Sequence, residues 1–118
     1  MSFGTGPGGA GMDRRRTAEG RVAEGAEPVG RRWVIEGRVQ GVGFRWYVLD
    51  QAQALGVRGW VRNTEDGAVE VVGLASSKSL SQLDAILAKG PPGARITGIT
   101  RDEVPHQSVE SKSFKIKH

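Results

Sequence analysis

The 118 residues include no cysteine, which excludes disulfide bonds and thiol chemistry. Histidine is nearly as scarce. His106 and His118 lie far apart, with no carboxylates at ligand spacing, so no metal site is expected. No apolar run is long enough to cross a bilayer, and the N-terminal stretch has no apolar segment of the signal-peptide kind, so a cytoplasmic protein without membrane contact is expected. Two well-known phosphate-binding patterns are also missing. The dinucleotide fingerprint needs a third Gly or Ala three residues after Gly43, where Trp46 stands, and the Gly-Lys-Ser/Thr of a Walker loop occurs nowhere.

What is present divides into two parts. Residues 1–30 hold eight of the eighteen glycines and few large apolar side chains, and their four arginines are balanced by Asp13, Glu19, Glu24 and Glu27. Such a segment cannot bury enough apolar surface to offset its ordering entropy and reads as a disordered tail. Residues 31–118 suffice for one modest core and carry the whole net charge of +4, which favours anionic partners without naming nucleic acid.

The second part is organised around Gln40-Gly41-Val42-Gly43-Phe44-Arg45. An extended apolar run, Trp33-Val34-Ile35, precedes it and a helical pattern follows, so it reads as a tight strand-to-helix connection. Two glycines let successive N–H groups turn into one small concavity, and a helix N-terminus adds its dipole, which together make an anion site. The Arg45 guanidinium contributes a planar fork of donors that fits phosphate oxygens. Taken on these residues alone, a glycine turn followed by a surface arginine is the better-supported reading.

Trp33 to Val39 reads as a strand. Phe44, Val48, Ala52 and Leu55 step at helical spacing, and Gly56 is placed to end that helix. Val57 to Asn63 and a run containing Val69, Val71 and Val72 read as a hairpin about the Asp66-Gly67 turn, with Asn63 at its mouth. Ser76 to Ser79 offers N-caps for a helix through Leu80, Leu83, Ile86 and Leu87, stopped by Gly90-Pro91-Pro92. Arg95 to Val104 is a strand, and Phe114 with Ile116 marks a short terminal strand at an edge. The order β-α-β-β-α-β predicts an α+β, ferredoxin-like sandwich: a four- to five-stranded antiparallel sheet with two helices on one face. An RNA-recognition module shares this order, but the third strand carries no aromatic residue and no RNP1 pattern, so nucleic acid is not an expected partner.

Several segments together resemble the acylphosphatase family. They are Gly37 to Arg45, Leu55 to Asn63 with its Gly-Trp-Val-Arg-Asn, the Asp66 to Glu70 turn, Gly90 to Arg95, and Phe114-Lys115-Ile116. The resemblance runs from about Arg32 to the end and implies hydrolysis of small acyl phosphates to carboxylate and inorganic phosphate. That chemistry requires no metal or cofactor, and a monomer is the default expectation. It further implies that the backbone of Gln40, Gly41, Val42, Gly43, Phe44 and Arg45 binds the phosphate, that the Arg45 side chain is essential to that binding, and that Asn63 holds the attacking water. Without the resemblance, Asn63 is a turn residue at a strand end. Trp46 and Tyr47 are candidates for the pocket mouth or for packing. Gly37 either clears room beneath the site or marks a bulge.

Overall fold

The structure, a computed structural model, describes residues 27–118. The expected glycine-rich tail lies outside the described residues as far as residue 26. In chain order the elements are β1 (Pro28–Arg38), α1 (Phe44–Ala54), β2 (Arg58–Asn63), β3 (Val69–Ser76), α2 (Ser77–Lys89), β4 (Arg95–Val104), a 3-10 turn (His106–Ser108) and β5 (Phe114–Ile116). The sheet order is β4-β1-β3-β2-β5. β1 begins at Pro28, ahead of the expected Trp33, because Val29 and Gly30 still pair with Ala75 and Leu74.

The periodicity of each element explains its seat. Trp33 and Ile35 alternate inward from β1, and Val69 and Val71 from β3. Phe44, Val48 and Ala52 form the buried stripe of α1, and Leu80, Leu83 and Leu87 that of α2. The two stripes close over one face of the sheet, burying the indole of Trp33 completely. A buried indole N–H needs an acceptor. Trp33 Nε1 donates to Asp84 of α2 at 2.9 Å, and Asp84 also accepts from Arg101 of β4 at 2.6 and 3.1 Å. α1 closes in a Schellman turn: Gly56 N–H donates to the Gln53 carbonyl at 3.1 Å and Val57 N–H to that of Ala52 at 2.9 Å.

One expectation needs correcting. β5 pairs parallel to β2 through Gly59–Phe114, Trp60–Lys115 and Val61–Ile116, so the sheet is mixed rather than wholly antiparallel. The reason is the route of the chain. β4 ends beside the start of β1, and the link to β5 carries Val109 across the open face onto Val72 and Leu74. It reaches the far edge at the end where β2 begins, so the next strand must run with β2.

The open face is polar at its centre. Glu70 of β3 is only 5% exposed yet ionised, because it accepts from the Nε groups of Arg32 and Arg62, the latter at 2.7 Å. Burial alone would raise the Glu70 carboxyl. The hydrogen bonds and charges of the two arginines outweigh it and hold the group below the ordinary carboxylate range. At Asp84 the hydrogen bond from Arg101 is the largest influence, and it too lowers the carboxyl against the effect of burial.

Both carboxylates are depressed in the folded chain, so their stabilisation is complete above the unfolded-state value and disappears as pH falls through the folded one. Glu70→Gln should therefore cost about 1–3 kcal/mol at neutral pH, discounted for the exposed arginines, and flatten the acid limb of stability against pH. Urea titrations between neutral and acid pH read both effects; an unchanged acid limb would exclude Glu70 as the titrating group.

Candidate active site

The chain between β1 and α1 takes its shape from two backbone angles. Gly41 and Gly43 sit at φ +77° and +76°, the left-handed region. A Cβ at either position would meet nothing within 4 Å, so the conformation rather than space calls for glycine there. Gly43 is also the N-cap of α1, and no side chain caps that helix. The first intrahelical bond runs from Tyr47 N–H to the Gly43 carbonyl at 3.0 Å. Among the described residues, no backbone carbonyl outside the helix accepts from Gly41 to Arg45. α2 differs: Ser76 Oγ accepts from Ser79 N–H at 3.2 Å and closes its N-terminus. The open end of α1 thus presents unpaired donors and the positive end of a helix dipole.

The topology brings Arg45 and Asn63 to the same end and face of the sheet. β1 and β2 both finish where α1 begins. Asn63 is the last residue of β2 and pairs with Val69, which in turn pairs with Ile35. Directly opposed residues share a face, and Ile35 and Val69 are fully buried beneath the helices. Asn63 therefore stands at the rim of the helix-covered face. Arg45 is half-buried in the first turn of α1. Tyr47, two residues on, donates its hydroxyl to the Ile86 carbonyl at 3.0 Å and so marks the flank toward α2. A two-residue step on a helix reaches nearly the opposite flank, which places Arg45 on the side toward β2. Neither side chain has a protein hydrogen-bond or ion-pair partner among the described residues, so both polar heads are available to a ligand.

Gln40 does something not foreseen from the sequence. Its side-chain Nε2 donates to the Thr64 carbonyl at 2.9 Å and the Ala68 carbonyl at 2.8 Å. These are the residues that bracket the β2–β3 turn. That turn is closed by Thr64 N–H to the Ala68 carbonyl at 2.9 Å, while the Thr64 hydroxyl bonds Asp66. One carboxamide thus joins the loop that begins the cradle to the residue that follows Asn63. The contacts span 24 and 28 positions, and no local pattern announces them.

The remaining candidates resolve plainly. Tyr47 packs α1 against α2, whereas Trp46 is 63% exposed. Gly37 marks a bulge: the β1–β4 register shifts between Glu36 and Gly37, and a Cβ on Gly37 would lie 2.0 Å from the Arg95 carbonyl oxygen. Asp66 is held by its turn, where the Thr64 hydroxyl lowers its carboxyl first, against burial. The described residues contain no group of three or more His, Asp or Glu placed to hold a metal ion. No described helix is long and apolar enough to cross a membrane.

An uncapped, glycine-shaped helix start on a ferredoxin-like sandwich defines a class of small α+β domains with an open helix N-terminus at one end of the sheet. Comparison with known proteins narrows the class. The Acylphosphatase family profile matches residues 31–116. An acylphosphatase of Synechococcus sp. strain CC9902 is 43% identical over 74 residues, which cover 63% of each chain. One of Bacillus velezensis is 39% identical over 85 residues, covering 72% of this chain and 93% of the relative. The crystal structure of acylphosphatase from Bacillus subtilis superposes with a TM-score of 0.71 at 33% identity, over 76% of this chain and 99% of that one. The chain belongs to the acylphosphatase family, and with it to the hydrolases.

Removing the Gln40 carboxamide deletes two hydrogen bonds, although the Thr64 and Ala68 carbonyls each keep a backbone donor, Gly67 N–H at 3.3 Å and Thr64 N–H at 2.9 Å. Gln40→Ala should lower stability by about 1–2 kcal/mol and weaken the binding of inorganic phosphate, measured by urea unfolding and calorimetric titration. Unchanged phosphate affinity beside the lost stability would confine Gln40 to a structural role.

Proposed function

We propose that this protein hydrolyses the carboxyl–phosphate bond of small acyl phosphates, with the N–H groups of Gly41 to Arg45 and the Arg45 guanidinium holding the phosphate and Asn63 orienting the water. The observation that carries this reading is the unsatisfied N-terminus of α1, with one arginine in its first turn and one asparagine on the adjoining strand end.

An acyl phosphate is a mixed anhydride whose leaving group, a carboxylate, is stable without protonation. No general acid is needed. As the water oxygen bonds to phosphorus, the bond from phosphorus to the acyl oxygen breaks and its electron pair departs on the carboxylate. Negative charge spreads over the three remaining phosphate oxygens, so catalysis is chiefly positioning and charge stabilisation, which backbone donors and a guanidinium supply. The carbonyl oxygen of Asn63 accepts a hydrogen bond from the water and so keeps the water's lone pair aimed at phosphorus. An amide is too weak a base to take the proton, so the proton moves from the attacking water to a phosphate oxygen of the substrate, giving carboxylate and inorganic phosphate. Charge stabilisation by protein donors lets this scheme run without metal or cofactor, as a cytoplasmic monomer acting on a small molecule.

Phosphate release from benzoyl phosphate tests the reading, with and without a chelator. Turnover should be the same in both. Arg45→Ala should lose ~10³-fold or more in kcat/KM, and Arg45→Lys should recover little, because a point charge lacks the planar fork. Asn63→Ala should keep its affinity for inorganic phosphate while turnover collapses. Equal losses of binding and turnover would remove Asn63 from the water-holding role.

A further inference from the structure

On the far side of the cradle from Asn63, the structure holds a second cationic feature. Arg38, the last residue of β1, lies directly opposite Arg95, the first residue of β4. Both side chains are exposed, and among the described residues neither has a carboxylate partner. Together with Gly93 and Ala94 they line a hollow of about 460 Å³. That hollow adjoins the cradle: a Cβ on Gly93 would lie 4.0 Å from a methyl of Val42 in the phosphate loop. Glu36, the acid nearest in sequence, lines a different hollow, beside the turn at Asp66 to Ala68.

Two further arguments give the hollow a purpose. Like charges directly opposed across two strands destabilise a sheet, and an anion lying between them relieves that repulsion. Displacement at phosphorus also keeps the attacking and leaving oxygens roughly in line. The water is held on the β2 side of the cradle, so the acyl group must depart on the opposite side. Across the sheet that direction leads over β1 toward β4, where Arg38 and Arg95 stand.

We propose that Arg38 and Arg95 form a subsite for a second negative charge on the acyl group, so that the preferred substrates are acyl phosphates whose acyl chain ends in a carboxylate or phosphate. This inference rests on the hydrolytic reading above. The phosphate loop fixes the reacting group, and the arginine pair selects among acyl chains. Its effect belongs in KM, because the second charge takes no part in bond breaking.

The test compares benzoyl phosphate with its meta- and para-carboxylated forms, which are rigid and cannot cyclise. The full-length wild-type protein should show a KM about tenfold lower for at least one carboxylated form, with kcat little changed and with the difference shrinking as salt is added. In the Arg38→Gln/Arg95→Gln protein the KM values should converge, whereas Arg58→Gln, a control for net charge, should leave the preference in place. Equal KM values in the wild type, a preference that survives the double substitution, or an equal loss of preference in Arg58→Gln overturns the subsite while hydrolysis stands. Absence of phosphate release from every substrate overturns the hydrolytic reading and the subsite with it. The wild-type comparison needs no variant, so failure of the double substitution to fold would not shelter the proposal.

Discussion

A helix normally closes its first turn with a side chain, and α2 does so with Ser76. α1 does not. Its N-cap is a left-handed glycine, which has no side-chain oxygen to offer the first N–H groups of the helix. Everything else at this end of the molecule follows from that unmet demand for an acceptor. In the hydrolytic reading proposed here a phosphate meets it, because several donors and the helix dipole would act on the same anion. Arg45 adds formal charge where the dipole supplies only a fraction of one.

The surrounding fold keeps this demand from being met internally. A loop of free donors could collapse onto the nearest carbonyls, and those of Thr64 and Ala68 are at hand. Both are already engaged by the side chain of Gln40, and Ala68 also by the Thr64 N–H. The same carboxamide sets the distance from the loop to the strand that ends in Asn63. On the other side, the bulge at Gly37 brings β1 against the Arg95 carbonyl and carries the sheet up to the rim of the loop. The cradle is thus braced by β2 and β3 on one flank and by β4 on the other.

Much of this was legible in the amino-acid order, for physical reasons that differ between elements. Both helices announce themselves because one stripe must be apolar, and their ends because Gly56, Ser76 and Gly90 have conformations or oxygens that few residues provide. Arg95 to Val104 and the hairpin about Asp66-Gly67 were equally plain. The start of β1 was not, since Pro28, Val29 and Gly30 have no alternation to show and owe their strand geometry to pairing with β3 and β4. The direction of β5 was hidden for the same reason: three residues carry no sign of which way they run. At the site, the glycines and Arg45 stood out, whereas the Gln40 brace and the opposed Arg38 and Arg95 appear only once distant segments meet.

The strand order has a consequence for how the molecule comes apart. β1 and β2 come from the first half of the chain and do not touch each other; β3 and β4 come from the second half and do not touch either. Every ladder joins one half to the other, so neither half owns a sheet that could survive alone. Fragments cut between β2 and β3 would have no hydrogen-bonded partner until they met, and local fraying cannot spread through one half while sparing its complement. Such interleaving makes melting a single all-or-none event.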